Sequence, residues 1–270
     1  MWRLGKLHRV DDRAAPRRGD YRVRLRLRTT AVNTIQQART RREHVENAKN
    51  TGDTEPATRR RQLLGAIRIA VGMFVLVTLV IQITDRLLNN AFDPQEYFSY
   101  FTIQSCLINI VVLLVGGVMA LRHRRDTVLY TSIRMSIVAY AVVTAGVYNL
   151  LLRSVPYEGF QGLQWPNEVL HVWVPIFIAL DWLFAPGRPP LPWRTLLIPI
   201  GYPVLWLGFT LVRGVFTDTY PYPFIDPATA GWGSVVTYIV ALTMFILAIA
   251  ALCIASSRRR RTGQHVAGLL

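Results

Sequence analysis

Six long apolar segments, separated by short polar loops, dominate the chain from residue 63 onward. Each has about 19–25 residues, and at 1.5 Å per residue that length crosses a hydrocarbon core of about 30 Å. No segment shows the ten-residue alternation of a membrane β-strand. The pattern therefore predicts an all-α, polytopic membrane protein built as a six-transmembrane-helix bundle. Its spans are expected at about residues 64–84, 97–121, 128–152, 166–184, 193–216 and 232–256.

The net positive charge is concentrated at the two ends of the chain. The net charge is +15, and residues 1–62 alone carry 17 Lys/Arg against 7 Asp/Glu. This split argues against a nucleic-acid-binding domain, which presents its basic groups on a folded face. Residues 1–62 are expected to form a disordered cytoplasmic tail, although the alternating stretch 21–28 also allows a short strand or a membrane-surface segment. A start codon chosen too far upstream would also account for part of it.

The loops predict the orientation of the bundle. Basic residues precede the first span, follow the second and fourth, and continue after the sixth in a second basic tail, residues 258–270. The intervening loops 85–96, 153–165 and 214–231 hold at most one arginine each. Because basic loops stay on the cytoplasmic side, both termini are expected in the cytoplasm. The expected location is the cell membrane, the inner membrane of a bacterium, with membrane lipids as partners.

Cysteine and histidine usage excludes several kinds of site. Cys106 and Cys253 are far apart in the chain and lie within apolar spans, which indicates buried thiols rather than a disulfide framework. A zinc site lacks further ligands. His171 is the only histidine within a predicted span, so a bis-histidine haem lacks its second ligand. No cofactor and no metal are therefore expected.

Polar residues concentrate in the predicted outer half of the bundle. Thr102 and His171 each lie five residues past the outer start of a predicted span, at a depth of about 8 Å. Polar groups at membrane depth are costly and mark candidate functional sites. The inner half is expected to be drier, with Arg134 and Asp181 as a possible structural brace. The supporting polar layer comprises Ser105, Asn109, Tyr148, Asn149, Asn167, Glu168 and Arg213.

Two interpretations of this layer remain open. His171 is either a hydrogen-bonded packing residue or a general base that activates Thr102 as a nucleophile. In the second case Asn167 or Glu168 would orient the imidazole, and Asn109 or Asn167 would bind the oxyanion. The proline-rich segment 219–227 is either a stiff connector or a lid over the layer.

Three motifs resemble a known family. Thr102 follows the aromatic stretch Tyr97-Phe-Ser-Tyr-Phe, His171 is followed by a proline and then by Asp181, and an outer loop reads Tyr220-Pro-Tyr-Pro-Phe224. Together they resemble a bacterial family of six-span membrane proteins, itself distantly similar to the eukaryotic androgen-induced and androgen-dependent membrane proteins. Those are threonine hydrolases that cleave fatty acid esters of hydroxy fatty acids. The resemblance covers residues 64–256 and implies Thr102 as nucleophile and His171 as its partner.

Two functional hypotheses follow. The first is a membrane-embedded ester hydrolase that acts on a lipid or fatty-acyl ester through Thr102 and His171. The second is a non-enzymatic membrane protein, either a small-solute transporter or a lipid-binding module. Against transport, the inner half shows no matching polar path and the chain no obvious internal repeat.

Overall fold

The computed structural model describes residues 36–37, 39–40, 58–123, 125–155 and 159–266, the last seven by their backbone alone. The all-α prediction is confirmed, because this described part holds helices and no strand. Six helices are long and apolar enough to cross a membrane, as expected of a multi-pass membrane protein. Most of the predicted basic tail, including residues 21–28, lies outside the described residues. Within residues 1–52, positions 36–37 and 39–40 are helical.

The six long helices follow the six predicted apolar segments. Three of them change geometry along their length: the third ends in a π-helical turn, the fourth contains one, and the fifth begins as a 3₁₀ helix. The sixth is kinked at Gly231, whose φ of 75° is a left-handed conformation that favours glycine. The helices are α1 Arg59–Leu88, α2 Phe101–Arg122, α3 Val128–Leu152, α4 Gln164–Phe184, α5 Trp193–Thr217 and α6 Pro227–Val266.

The first residues of α1 and α2 differ from the starts of the predicted spans. Helix α2 begins at Phe101, because Tyr97 ends a separate turn, Pro94–Tyr97. The Asp93 carboxylate caps that turn by accepting the main-chain N–H of Gln95 at 2.8 Å. Helix α1 begins at Arg59 rather than near residue 64, and Arg61 in its first turn is buried.

Glycines allow α1 and α2 to approach closely. A Cβ atom on Gly65 would lie 2.8 Å from the Gly117 carbonyl oxygen, and one on Gly117 would lie 2.8 Å from the Gly65 carbonyl oxygen. Backbone cannot move aside as a flexible side chain can, so these positions require the absence of a side chain. Small residues at such crossings are typical of helix pairs in membranes, where close van der Waals packing drives association.

Helix α5 packs loosely compared with the others. In its segment Gly201–Thr217 only Thr210 and Gly214 are buried. Leu205 is 74% exposed and Phe216 82% exposed. Such a surface would be costly in water and suits contact with lipid tails. One side of the bundle is therefore less tightly closed than the rest.

A network of five buried charged side chains ties the predicted inner half together, so the expectation of a drier inner half, with Arg134 and Asp181 as its exceptions, understates the charge there. Arg134 donates to Asp181 at 2.6 Å and to Asp126 at 3.0 Å. Asp181 also accepts from Arg68 at 3.0 Å, while Asp126 pairs with Arg61. The network joins α1, α3, α4 and the loop that precedes α3.

The network has no exposed member, and main-chain carbonyls accept further hydrogen bonds from its arginines. Arg61 donates further to the carbonyl oxygens of His123 at 2.6 Å and Pro186 at 2.8 Å. Arg68 donates to the Gly116 carbonyl oxygen at 3.3 Å. Buried charges persist only when they are paired and hydrogen-bonded. Arg134 and Asp181, the pair predicted as a brace, are thus two members of a group of five residues.

Replacing Asp181 by alanine should severely destabilise the protein. The change leaves Arg68 and Arg134 without their shared carboxylate, and breaking a buried pair costs about 3–5 kcal/mol. Glu168→Ala is the matched control, because Glu168 pairs with Arg153 at a half-exposed site where a salt bridge contributes about 0–1 kcal/mol. Thermal unfolding of the purified proteins measures both. Equal melting temperatures for the two variants would contradict a stabilising role of the network.

Candidate functional site

An open cavity of about 130 Å³ lies in the predicted outer half, and both Thr102 and His171 line it. Its walls come from α2, α3, α4, α5, α6 and the loop after α5. Most of the lining is aliphatic or aromatic. The polar side chains among the described lining residues, apart from the Trp206 indole, are Thr102, Thr144, Tyr148, His171, Tyr222 and Thr243.

Thr102 lies in the first turn of α2, where main-chain N–H groups lack helical partners. The cap residue Tyr100 provides no side-chain acceptor. Instead the Thr102 N–H donates to the phenol oxygen of Tyr222 at 3.5 Å, from the loop 120 residues later. The Ser105 hydroxyl donates to the Thr102 carbonyl oxygen at 3.0 Å. Thr102 is thus buried with its main chain fixed on both sides.

The Tyr222 hydroxyl is the polar group that meets Thr102 in this structure. Burial raises the pKa of the Tyr222 phenol, and hydrogen bonds from the Thr102 side chain and from the main chain of Thr102 and Phe101 oppose that rise. These same groups at a helix N-terminus would favour a partial negative charge. Tyr222 therefore occupies the position at which an anionic oxygen beside Thr102 would be stabilised.

His171 lies within the π-helical turn Val169–Trp173 of α4. Pro175, four residues later, has no N–H to bond the His171 carbonyl, which explains why regular α-helix is interrupted there. The ring atom Nδ1 lies 2.8 Å from the Asn167 carbonyl oxygen. Because that carbonyl only accepts, Nδ1 carries the proton of the neutral ring and Nε2 keeps a free lone pair. Such π-helical turns occur frequently at functional sites.

Tyr148 packs against one face of the imidazole. Its ring stacks on His171 with centroids 4.1 Å apart and an interplanar angle of 24°. The Asn167 side-chain amide donates to the Tyr148 hydroxyl at 3.2 Å. Asn167 thus holds the histidine through its main chain and the tyrosine through its side chain. The prediction that Asn167 orients the imidazole corresponds to this contact, made by its carbonyl.

The remaining members of the predicted polar layer lie around the cavity rather than in it. Glu168 accepts from Arg153 at 2.8 Å, and Arg153 also donates to Asn149 at 2.7 Å, in a partly exposed cluster. Arg213 donates to the Thr219 carbonyl oxygen at 3.2 Å. Asn109 is buried, and its side-chain oxygen has no hydrogen-bond partner among the described residues. The cavity lining includes none of the four layer residues Asn109, Asn149, Glu168 and Arg213.

Thr102 and His171 share the cavity without touching each other. No hydrogen bond joins them among the contacts of the described residues, and Thr102 instead donates its main-chain N–H to the Tyr222 hydroxyl. Both side chains line the cavity. For His171 to take a proton from Thr102, the imidazole must come within hydrogen-bond reach of the hydroxyl or be joined to it by a water.

The loop after α5 folds back onto the bundle and covers the cavity. Tyr220 packs against Gly214, where a Cβ atom would lie 2.1 Å from its ring. Tyr222 and Ile225 are buried and line the cavity together with Phe224, whose ring stacks on Tyr222 at 5.3 Å. Segment 219–227 is predicted to be either a stiff connector or a lid over the polar layer, and these contacts fit a lid better than a simple connector.

Sequence reasoning missed three polar residues of the cavity. Tyr222 lies in the proline-rich segment 219–227, whose composition predicts rigidity but no contact with Thr102, and Thr144 is one polar residue within the apolar span α3. Thr243 lies in the apolar span α6 and gives no signal of its own. Their convergence depends on how α3, α6 and the loop pack, which local patterns do not reveal.

Comparisons with protein families, with curated proteins and with solved structures found no match for this chain. The resemblance to the six-span family and to the threonine hydrolases consequently remains a prediction from short motifs.

Proposed function

We propose that this protein is a membrane-embedded hydrolase of lipid esters, with Thr102 as nucleophile and His171 as general base. One observation carries the proposal: Thr102 and His171 line the same largely apolar cavity. The imidazole is held by Asn167 with its Nε2 lone pair free, which is the form a base requires. A threonine hydroxyl needs such a base to act as a nucleophile.

The reaction would proceed in two halves. Thr102 Oγ1 attacks the acyl carbon of the ester and passes its proton to His171 Nε2. The tetrahedral intermediate collapses, the alcohol leaves with the proton from His171, and the acyl group stays on Thr102. Water then attacks this acyl group, and His171 again accepts a proton and returns it to Thr102. The products are one free acid and one alcohol.

The first turn of α2 would stabilise the anionic oxygen of each intermediate. The Thr102 N–H, now bonded to Tyr222, is the donor that the substrate carbonyl would use. In this proposal the Tyr222 hydroxyl occupies the oxyanion position in the resting protein, and the ester carbonyl displaces it. The amides of Asn109 and Asn167, suggested from sequence, are less suitable: Asn109 is not a lining residue, and Asn167 is bonded to Tyr148.

Lateral entry from the membrane fits the loosely packed α5. Ile200, Val204 and Leu207 of this helix line the cavity, and Val204 is also 58% exposed. A lipid could thus reach Thr102 without crossing water, with its acyl chain against aliphatic walls. We place this entrance on the outer side of the membrane on the strength of the predicted orientation.

A lipid-binding protein without catalysis is the second candidate. It is favoured by the absence of a Thr102–His171 hydrogen bond among the described contacts. Transport is less well supported, because the buried Arg/Asp network fills the predicted inner half beneath the cavity.

Covalent labelling distinguishes the two candidates. A fluorophosphonate should label the purified protein at Thr102, and Thr102→Ala should abolish labelling. His171→Ala should slow labelling about 100-fold or more, the contribution expected of a general base. Thr144→Ala is the matched control, since Thr144 lines the same cavity and should label normally. Labelling that survives both Thr102→Ala and His171→Ala would refute the hydrolase.

Tyr222→Phe should accelerate labelling of Thr102. The change keeps the ring that packs on Phe224 and removes the oxygen that occupies the helix N-terminus. A hydrogen bond of about 1 kcal/mol corresponds to roughly a fivefold faster reaction. The pseudo-first-order labelling rate is the measurement, with thermal unfolding as a check on folding. A slower rate would mean that the hydroxyl assists the reaction rather than blocking it.

A further inference from the structure

The described residues that line the cavity carry no formal charge. Among its described lining residues there is no Lys, Arg, Asp or Glu, and the only titratable groups are His171, Tyr148 and Tyr222. The polar remainder consists of threonine hydroxyls and the Trp206 indole, whose N–H already donates to the Ser99 carbonyl oxygen at 2.9 Å. The lining therefore offers hydrogen bonds but no counter-ion.

The nearest arginines are engaged elsewhere. Arg153 lies over the Tyr148 ring at 5.9 Å, but it pairs with Glu168 and donates to Asn149. Arg213 is bonded to the Thr219 carbonyl oxygen. Neither lines the cavity, and the charge of Arg153 is balanced by Glu168. The five charged residues of the inner network pair with one another.

An ionised ligand would therefore lose its hydration and gain only neutral hydrogen-bond donors, such as the Thr102 N–H, with no counter-ion. Burying a carboxylate or phosphate under such conditions is strongly unfavourable, whereas an ester carbonyl or a hydroxyl needs only a hydrogen-bond donor or acceptor. The threonines and tyrosines of the lining supply both kinds of group.

We infer that the site takes neutral acyl esters, such as acylglycerols, and rejects acyl lipids that carry a phosphate in the cavity. This inference rests on the proposed function, from which we take it that the ligand is an ester. The uncharged lining, which carries the selection, is independent of catalysis.

The test compares two ligands that differ by one phosphate. Full-length Thr102→Ala protein in detergent micelles is titrated with radiolabelled 1-oleoylglycerol and with oleoyl-lysophosphatidic acid at neutral pH. We expect the phosphorylated lipid to bind at least about tenfold more weakly. Thr243→Lys, in the Thr102→Ala background, places a cation in the lining and should narrow or reverse this ratio. Thr243→Met adds bulk without charge and should preserve it.

Each outcome decides one claim. Equal binding of the two lipids, unchanged by Thr243→Lys, would overturn the inference even if the wild-type protein hydrolyses esters. A preference for the neutral lipid in a protein that never labels with fluorophosphonate would leave the inference standing and remove the hydrolase. Size-exclusion chromatography of each variant establishes that the chain is folded in either case.

Discussion

The buried ion pairs between arginines and aspartates are the constraint on which the rest of the bundle depends. Asp181 alone receives Arg68 from α1 and Arg134 from α3, while Asp126 connects Arg134 to Arg61. In a hydrocarbon surrounding, charges of this kind must find one another, and the helices that carry them are fixed in register as a result. The glycine contacts between α1 and α2 act at the same end of the bundle.

This firm base contrasts with the opposite half. There the walls of the cavity meet through aromatic rings and a few neutral hydrogen bonds, and α5 contributes little buried surface. The Tyr202 hydroxyl bonds Gln104 at 3.1 Å and the Trp206 indole bonds Ser99, so α5 is attached to the start of α2 by its side chains. The lateral entry of a lipid proposed above would use the loosely packed α5 as its route, while the other end of the bundle stays fixed by the ion pairs.

The fold could be predicted from sequence because hydropathy and length dictate it. Each apolar segment has one viable structure in a membrane, and all six became helices. The network was only partly predictable. Arg134 and Asp181 were recognised from their depth, whereas Arg68 lies in an apolar run and Arg61 and Asp126 lie in stretches taken as tail and loop. Pairing across helices depends on rotation about each axis, which a linear pattern does not specify.

The candidate site was likewise only partly predictable from sequence. Depth alone brought Thr102 and His171 into one layer, and both line the cavity. The partner that meets Thr102 is Tyr222, which no spacing in the sequence associates with it. That contact depends on how the loop after α5 folds back. Tyr220 packs on Gly214, and Phe224 packs on Tyr238. Long-range contacts of this kind depend on tertiary packing rather than on local composition.

The π-helical turn in α4 has a consequence for how one helix can serve two ends of the molecule. A regular helix fixes the angle between any two of its side chains, so a rotation that suits Asp181 would dictate the direction of His171. The wider turn at Val169–Trp173 inserts an angular offset between them. The two parts of α4 can therefore take independent rotations about the helix axis. The ion pairs set the rotation of the part that carries Asp181, and the stack with Tyr148 sets that of the part that carries His171. Evolution could retune the orientation of the imidazole in such a helix without disturbing the charges that hold the bundle together.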